Sequence, residues 1–209
     1  MLSWDNEMIF REKKEEITPI RFNTSEDLCK FVENEDPHCG ITEEEKTTIN
    51  NIGCSLNNAI RSGYELNWDT QQSKDLLQRL IQAHILKEDI IVNRAVCSIE
   101  YELTLAKSRA LPKKHLFHNG FVYTSLLPAY SRQIHLNILI PKGTPYLYTG
   151  VFSNTIGSYP HEDNKTIQDI IGELILDIGT IFKIDKKKRR KGITIYDVHV
   201  VDTGSSVIK

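Results

Sequence analysis

The apolar period of this chain changes near residue 88, and that change restricts the fold more than any other feature of the sequence. Before it, the pattern is helical. Thr24-Ser25-Glu26-Asp27 offers a cap and an acidic first turn ahead of Leu28, Phe31 and Val32, whose spacing builds one buried stripe. Thr42 with Glu45 reads as a capping box opening a second helix. Asp69 with Gln72 repeats that signature before Leu76, Leu77, Leu80 and Ile81. Beyond residue 88, β-branched residues dominate and the period falls to two. Strands are predicted over 90–96 and at Ile134, Leu136, Ile138 and Ile140, which alternate with His135, Asn137 and Leu139. Pro141-Lys142-Gly143-Thr144-Pro145 supplies a turn. Two further strands are predicted over 173–184, broken by Gly179, and a last one over 193–201. Helices followed by strands, without βαβ alternation, predict an α+β fold. The expectation is a single domain over 1–209, mainly helical over 1–88 and mainly β over 89–209.

Composition narrows the function classes. With 40% hydrophobic and 26% charged residues the chain is an ordinary globular protein, and its net charge of -2 recruits no polyanion. The run Lys186-Lys187-Lys188-Arg189-Arg190-Lys191 lies between two predicted strands and reads as a solvated hairpin tip. No aromatic interleaving or basic helix accompanies it, which argues against nucleic acid as a partner. Cys29, Cys39, Cys54 and Cys97 are far apart, with no C-x-x-C pair and no histidines at zinc spacing. They read as free thiols suited to a reducing compartment, with no metal site. The first residues lack the basic start and apolar stretch of a secretory signal, and no window has the length of a membrane span. Export, if it occurs, is therefore expected to use a dedicated secretion or injection system.

Four segments occur in a telling order: the strand carrying Arg94, then Gly120-Phe121-Val122-Tyr123-Thr124-Ser125-Leu126, then the turn Ile140-Pro141-Lys142-Gly143-Thr144, then Glu173-Leu174-Ile175-Leu176-Asp177. Upstream lie Ile41-Thr42-Glu43-Glu44-Glu45-Lys46 and Leu56-Asn57-Asn58-Ala59-Ile60-Arg61. Taken together, this series resembles the ADP-ribosyltransferase exotoxin and effector family, which includes the C3-like exoenzymes and the enzymatic components of binary toxins. That family carries an I-N-x-x-L-R helix, an Arg on its first strand, a Ser-Thr-Ser strand and a Glu closing an E-x-E or Q-x-E pair. The likeness runs from about Ile41 to Val201.

The resemblance implies two small β-sheets packed nearly at right angles, flanking amino-terminal helices and NAD as co-substrate in the cleft between the sheets. It implies transfer of ADP-ribose to a target protein in a host or competitor cell, after delivery to that cell's cytosol. Glu173 takes the catalytic place, its carboxylate facing the positive charge that builds on ribose as nicotinamide departs. Arg94 suits the pyrophosphate, because a guanidinium fork binds phosphate oxygens with fixed geometry and permanent charge. Thr124 and Ser125 match the last two positions of the Ser-Thr-Ser strand and position the glutamate's surroundings. Asn57 and Arg61 match positions that contact the nucleotide from the helical side.

Two positions depart from the pattern. Tyr123 stands where the family's first serine bonds the catalytic glutamate; a tyrosine there either packs on the nicotinamide face or belongs to the core. Ile171 stands two residues before Glu173, where arginine-modifying members carry Glu and asparagine-modifying members carry Gln. An isoleucine neither accepts a proton nor donates a hydrogen bond, so the expected acceptor is not arginine. The segment from Phe152 to Ile171, with Tyr159, Pro160, His161, Glu162 and Asp163, corresponds to the family's target-contacting loop. Three readings compete with the transferase: an NAD glycohydrolase using the same Glu173 and Arg94, a catalytically degenerate binding module of the same fold, and a basic-loop nucleic-acid binder.

Overall fold

Each of the first two helices starts where a threonine and an acidic residue three positions later satisfy one another. The computed structural model describes residues 18–128, 133–150 and 172–204. Helix α1 (Ser25–Glu35) is capped by Thr24, which accepts from the Asp27 backbone while the Asp27 carboxylate accepts from the Thr24 backbone. Helix α2 (Glu43–Ser62) repeats the device with Thr42 and Glu45, at 3.2 and 2.9 Å. Two otherwise unpaired N–H groups are met at each start. Thr42→Ala should therefore cost about 1 kcal/mol, seen as a thermal midpoint lowered by roughly 2–4 °C. An unchanged midpoint would show that the cap contributes nothing.

Helix α3 (Trp68–Ala83) starts before the expected Asp69 cap. Asn67 caps it instead, accepting from Thr70 N at 2.9 Å. Asparagine caps as well as aspartate does, and Asp69 then falls in the first turn, where its charge opposes the positive helix end. The apolar stripes of α2 and α3 (Ile49, Ile52 and Leu56 with Leu77, Leu80 and Ile81) close on each other as a helical core.

The strands are β1 (Ile20–Arg21), β2 (Ile90–Val96), β3 (His115–Phe117), β4 (Val122–Ser125), β5 (Ile134–Ile140), β6 (Leu147–Tyr148), β7 (Glu173–Leu176), β8 (Thr180–Arg190) and β9 (Ile193–Thr203). Their order is β3-β8-β9-β5-β2-β4-β7-β6, with β1 parallel to β2. The mixture of helices and a mixed sheet makes the fold α+β. Where two separate sheets are expected, hydrogen bonding runs continuously, but the junction of β2 with β4 is the single pair Asn93↔Ser125. A five-strand portion (β3-β8-β9-β5-β2) and a three-strand portion (β4-β7-β6) thus meet at one residue pair.

The three-strand portion is buried on both faces. Leu174 and Leu176 of β7 enter the core of the larger portion with Phe22, Phe31 and Val92, whereas Ile175 packs with Leu147 and Phe121 against α2 and α3. That double burial explains the unbroken apolar run after Glu173.

Two expectations about the second half need correction. Helix α4 (Ser98–Lys107) interrupts the strands, capped by Cys97, whose sulfur accepts from Glu100 N at 3.4 Å. Ile99, Tyr101, Leu103 and Leu105 alternate in sequence as strand residues do, yet in space Ile99 and Leu105 are exposed and Tyr101 stacks on Tyr196. The basic run does lie at the exposed end of a hairpin, but as strand more than turn: residues 186–190 continue β8 and pair with β9, and the turn is Lys191-Gly192, both at positive φ. Lys188 reaches Asp197 at 2.6 Å and Lys187 lies over the Tyr196 ring, so neighbours on β9 hold these like charges in an extended strand. Cys29, Cys39 and Cys97 are free and exposed. Among the described residues no helix is long and apolar enough to cross a membrane.

Candidate functional site

The three-strand portion sets three side chains in one row. Strand register places Ser125 of β4 opposite Glu173 of β7. On the other side Thr149, just past β6, extends the pairing by donating its backbone N–H to the Glu173 carbonyl at 3.0 Å. Opposed residues of neighbouring strands share a face, so Ser125, Glu173 and Thr149 form a line across the sheet. The Thr149 hydroxyl donates to Glu173 Oε1 at 2.8 Å. Gly172 sets the entry to β7: its φ is +62°, and a Cβ there would lie 2.8 Å from Leu28 Cδ2.

Burial pushes the Glu173 carboxyl above the usual carboxylate range, while the Thr149 hydrogen bond and the Arg94 charge pull it back. Arg94 thus lies near enough, across the β2–β4 junction, for its charge to act on the acid.

Beside the row lies a buried ionic cluster. The Arg94 guanidinium donates through Nη1 to the Tyr123 carbonyl and through Nη2 to Glu100 Oε1. Arg61, in the last turn of α2, brings its Nη2 to the same Glu100 oxygen at 3.0 Å. His118 Nε2 lies 3.3 Å from Arg61 Nη2 and 3.4 Å from Glu100 Oε1, and its Nδ1 donates to the Gly120 carbonyl at 2.9 Å. Burial drives Glu100 upward, but His118, Arg94 and Arg61 outweigh it and hold the carboxyl far below its ordinary range. Burial pushes the His118 imidazole down, with the Arg94 and Arg61 charges adding to it and the Glu100 and Gly120 hydrogen bonds opposing it. Two guanidinium groups then face one carboxylate, leaving a surplus positive charge. Arg94 Nε is buried with no hydrogen-bond partner among the described residues, a donor that costs free energy until something accepts from it.

The expected site residues divide into groups. Arg94 and Arg61 converge on Glu100, and the charge of Arg94 reaches Glu173. Thr124 Oγ1 donates to the Leu174 carbonyl at 2.8 Å and Ser125 Oγ to the Asn93 carbonyl at 3.3 Å, so these hydroxyls tie β4 to β7 and to β2. Tyr123 packs its ring against the helical core and offers its carbonyl to Arg94. Asn57 is buried and clamps the Phe121 backbone from both sides, Nδ2 donating to the carbonyl at 3.0 Å and Oδ1 accepting from the N–H at 2.8 Å. It fixes the approach to β4, where the resemblance implies a nucleotide contact. Gly120 is required beside it, since a Cβ would lie 2.5 Å from Asn57 Oδ1. Ile171 and the Phe152–Ile171 loop fall outside the described residues.

Glu100, His118 and Thr149 are site residues that sequence reasoning missed. Glu100 lies on a helix disguised by alternation, and His118 lies in a connection. Thr149 is 24 residues from its partner, with no local pattern to mark it.

The fold that carries these residues is similar to that of solved ADP-ribosyltransferase toxins. The chain matches Plx2a, an ADP-ribosyltransferase toxin from Paenibacillus larvae, with a TM-score of 0.67 and 20% identity over 88% of this chain and 100% of that one. It matches C3stau2 from S. aureus, solved with NAD, with a TM-score of 0.66 and 16% identity over 88% and 99%. BECa, an ADP-ribosylating toxin of a binary enterotoxin of C. perfringens solved with NADH, gives 0.67 and 18%, and this chain spans 50% of its length. No protein-family model matches, and no curated protein matches in sequence. At these identities the likeness establishes the fold, and the activity must be argued from the site.

Proposed function

We propose that this protein is a mono-ADP-ribosyltransferase that cleaves NAD at the nicotinamide–ribose bond and transfers ADP-ribose to a target protein at a side chain other than arginine. The supporting observation is that Arg94, paired with Arg61 through Glu100, brings its charge to bear on the buried acid Glu173. A dinucleotide has one part that wants fixed positive charge and another that becomes positive during reaction, and the arginine pair and Glu173 supply the complementary charges. Arg61, Arg94 and the unsatisfied Nε suit the pyrophosphate. Glu173 suits the ribose, where a carboxylate stabilises the developing oxocarbenium charge. The glycosidic bond breaks with its electron pair leaving on nicotinamide. The acceptor's lone pair then closes on the anomeric carbon, and the acceptor loses a proton.

Ile171 supports the non-arginine acceptor, since it provides no group to take the guanidinium proton. The test is incubation of the protein with adenylate-labelled NAD and whole-cell lysate, following nicotinamide release and mass-identifying any labelled band. Label on a protein is expected, and free agmatine should remain unmodified. Nicotinamide release with no labelled protein would favour a glycohydrolase. No release under any condition would refute the enzymatic reading, and robust agmatine labelling would refute the acceptor assignment.

A further inference from the structure

The geometry points to Thr149 as the positioning residue for Glu173, the hydroxyl that orients the acid where Tyr123 replaces the residue the resemblance would lead one to expect. The inference rests on the transferase reading above. Thr149 is buried, and two bonds fix it to the same partner: its N–H on the Glu173 carbonyl at 3.0 Å and its hydroxyl on Glu173 Oε1 at 2.8 Å. The hydroxyl is thus held relative to the backbone that carries the acid, not merely near it. The hydroxyls of Thr124 and Ser125 are committed to the carbonyls of Leu174 and Asn93. Ser125 flanks Glu173 across β4 and Thr149 flanks it on the opposite side, so the row has exchanged the strand that steadies its acid.

A hydroxyl bonded to a carboxylate oxygen does two things. It selects one rotamer of the acid, and it favours the ionised form over the neutral one. Burial works against ionisation at Glu173, and the Thr149 bond offsets it. A transferase needs both effects, because only an ionised, aimed carboxylate stabilises charge on the ribose.

The test compares Thr149→Val, which keeps shape and removes the hydroxyl, with Thr149→Ser, which keeps the hydroxyl. Two readouts are used on folded full-length protein. The Glu173 titration is followed by carboxyl-carbon NMR, which needs no turnover, and nicotinamide release from NAD is followed against pH. In the valine variant the Glu173 pKa and the acid limb of the rate profile should both move up by about one pH unit, the shift a charge-assisted hydrogen bond supports. The maximal rate should fall roughly tenfold, consistent with a misplaced reacting group, with little change in KM. The serine variant should track the wild type in both readouts. An unshifted titration in the valine variant, or a serine variant that behaves like valine, overturns the assignment. If the wild type releases no nicotinamide, the transferase reading fails by itself, and the titration still decides whether Thr149 governs the ionisation of Glu173.

Discussion

Glu173→Gln leaves the protein folded and lowers nicotinamide release by roughly a hundred- to a thousandfold, the range seen when one preorganised charge-stabilising group is lost from a site. Structure and chemistry part cleanly at this position. A glutamine amide has the same shape, and its oxygen can still accept from Thr149 Oγ1, so the row across β4, β7 and β6 survives. Burial already disfavours the charged form of Glu173, so replacing it with a neutral amide removes a desolvation penalty, and the thermal midpoint should hold or rise slightly. What is lost is negative charge where the ribose becomes positive. Single-turnover nicotinamide release with matched melting curves provides the check, and a rate within threefold of wild type would remove Glu173 from the mechanism.

Glu100→Leu should have the largest effect on stability. One Glu100 oxygen receives both Arg61 and Arg94, and its side chain is 18% exposed, so removing the carboxylate strands two buried guanidinium groups against each other. Breaking a buried ion pair from one side costs about 3–5 kcal/mol, which in a domain of this size lowers the midpoint by roughly 6–20 °C. Inorganic pyrophosphate at millimolar concentration should recover part of the loss, since an anion binding the folded form stabilises it by mass action. An unchanged midpoint would show that the cluster contributes nothing; a drop without pyrophosphate rescue would deny that the arginine pair accepts phosphate.

The pH dependence follows from the same group. The folded Glu100 carboxyl titrates below its unfolded value of about 4.3, so its contribution is fully present above that value. It erodes only as the solution becomes strongly acidic, on approach to the lowered folded value.

Much of the site was legible because it is written in local pattern. The caps at Thr24 and Thr42 and the alternation of β2 and β5 depend on residues within a few positions of one another, where a side chain meets its own backbone or repeats with its own element. Arg94 and Glu173 stood out for a different reason, the order of segments that resembles the toxin family, and Arg94 also as a charge set within an apolar strand.

What misled was pattern with two physical meanings. Helix α4 carries no helical stripe to mark it, because its apolar residues Ile99, Tyr101, Leu103 and Leu105 alternate along the chain, with Ile99 and Leu105 left exposed. A run of six basic residues looks like a solvated turn, because the neighbours on β9 that hold Lys187 and Lys188 are invisible along the chain.

The chain alone determined the α+β class, the first three helices and the main strands, since these depend on periodicity and capping over short separations. Tertiary structure alone decided which groups meet: Glu100 between two arginines, Asn57 on the Phe121 backbone and Thr149 on Glu173. Each of those depends on strand register or on one helix packing against a sheet. Such contacts join residues with no local relation, and only the closed core brings them within hydrogen-bonding reach.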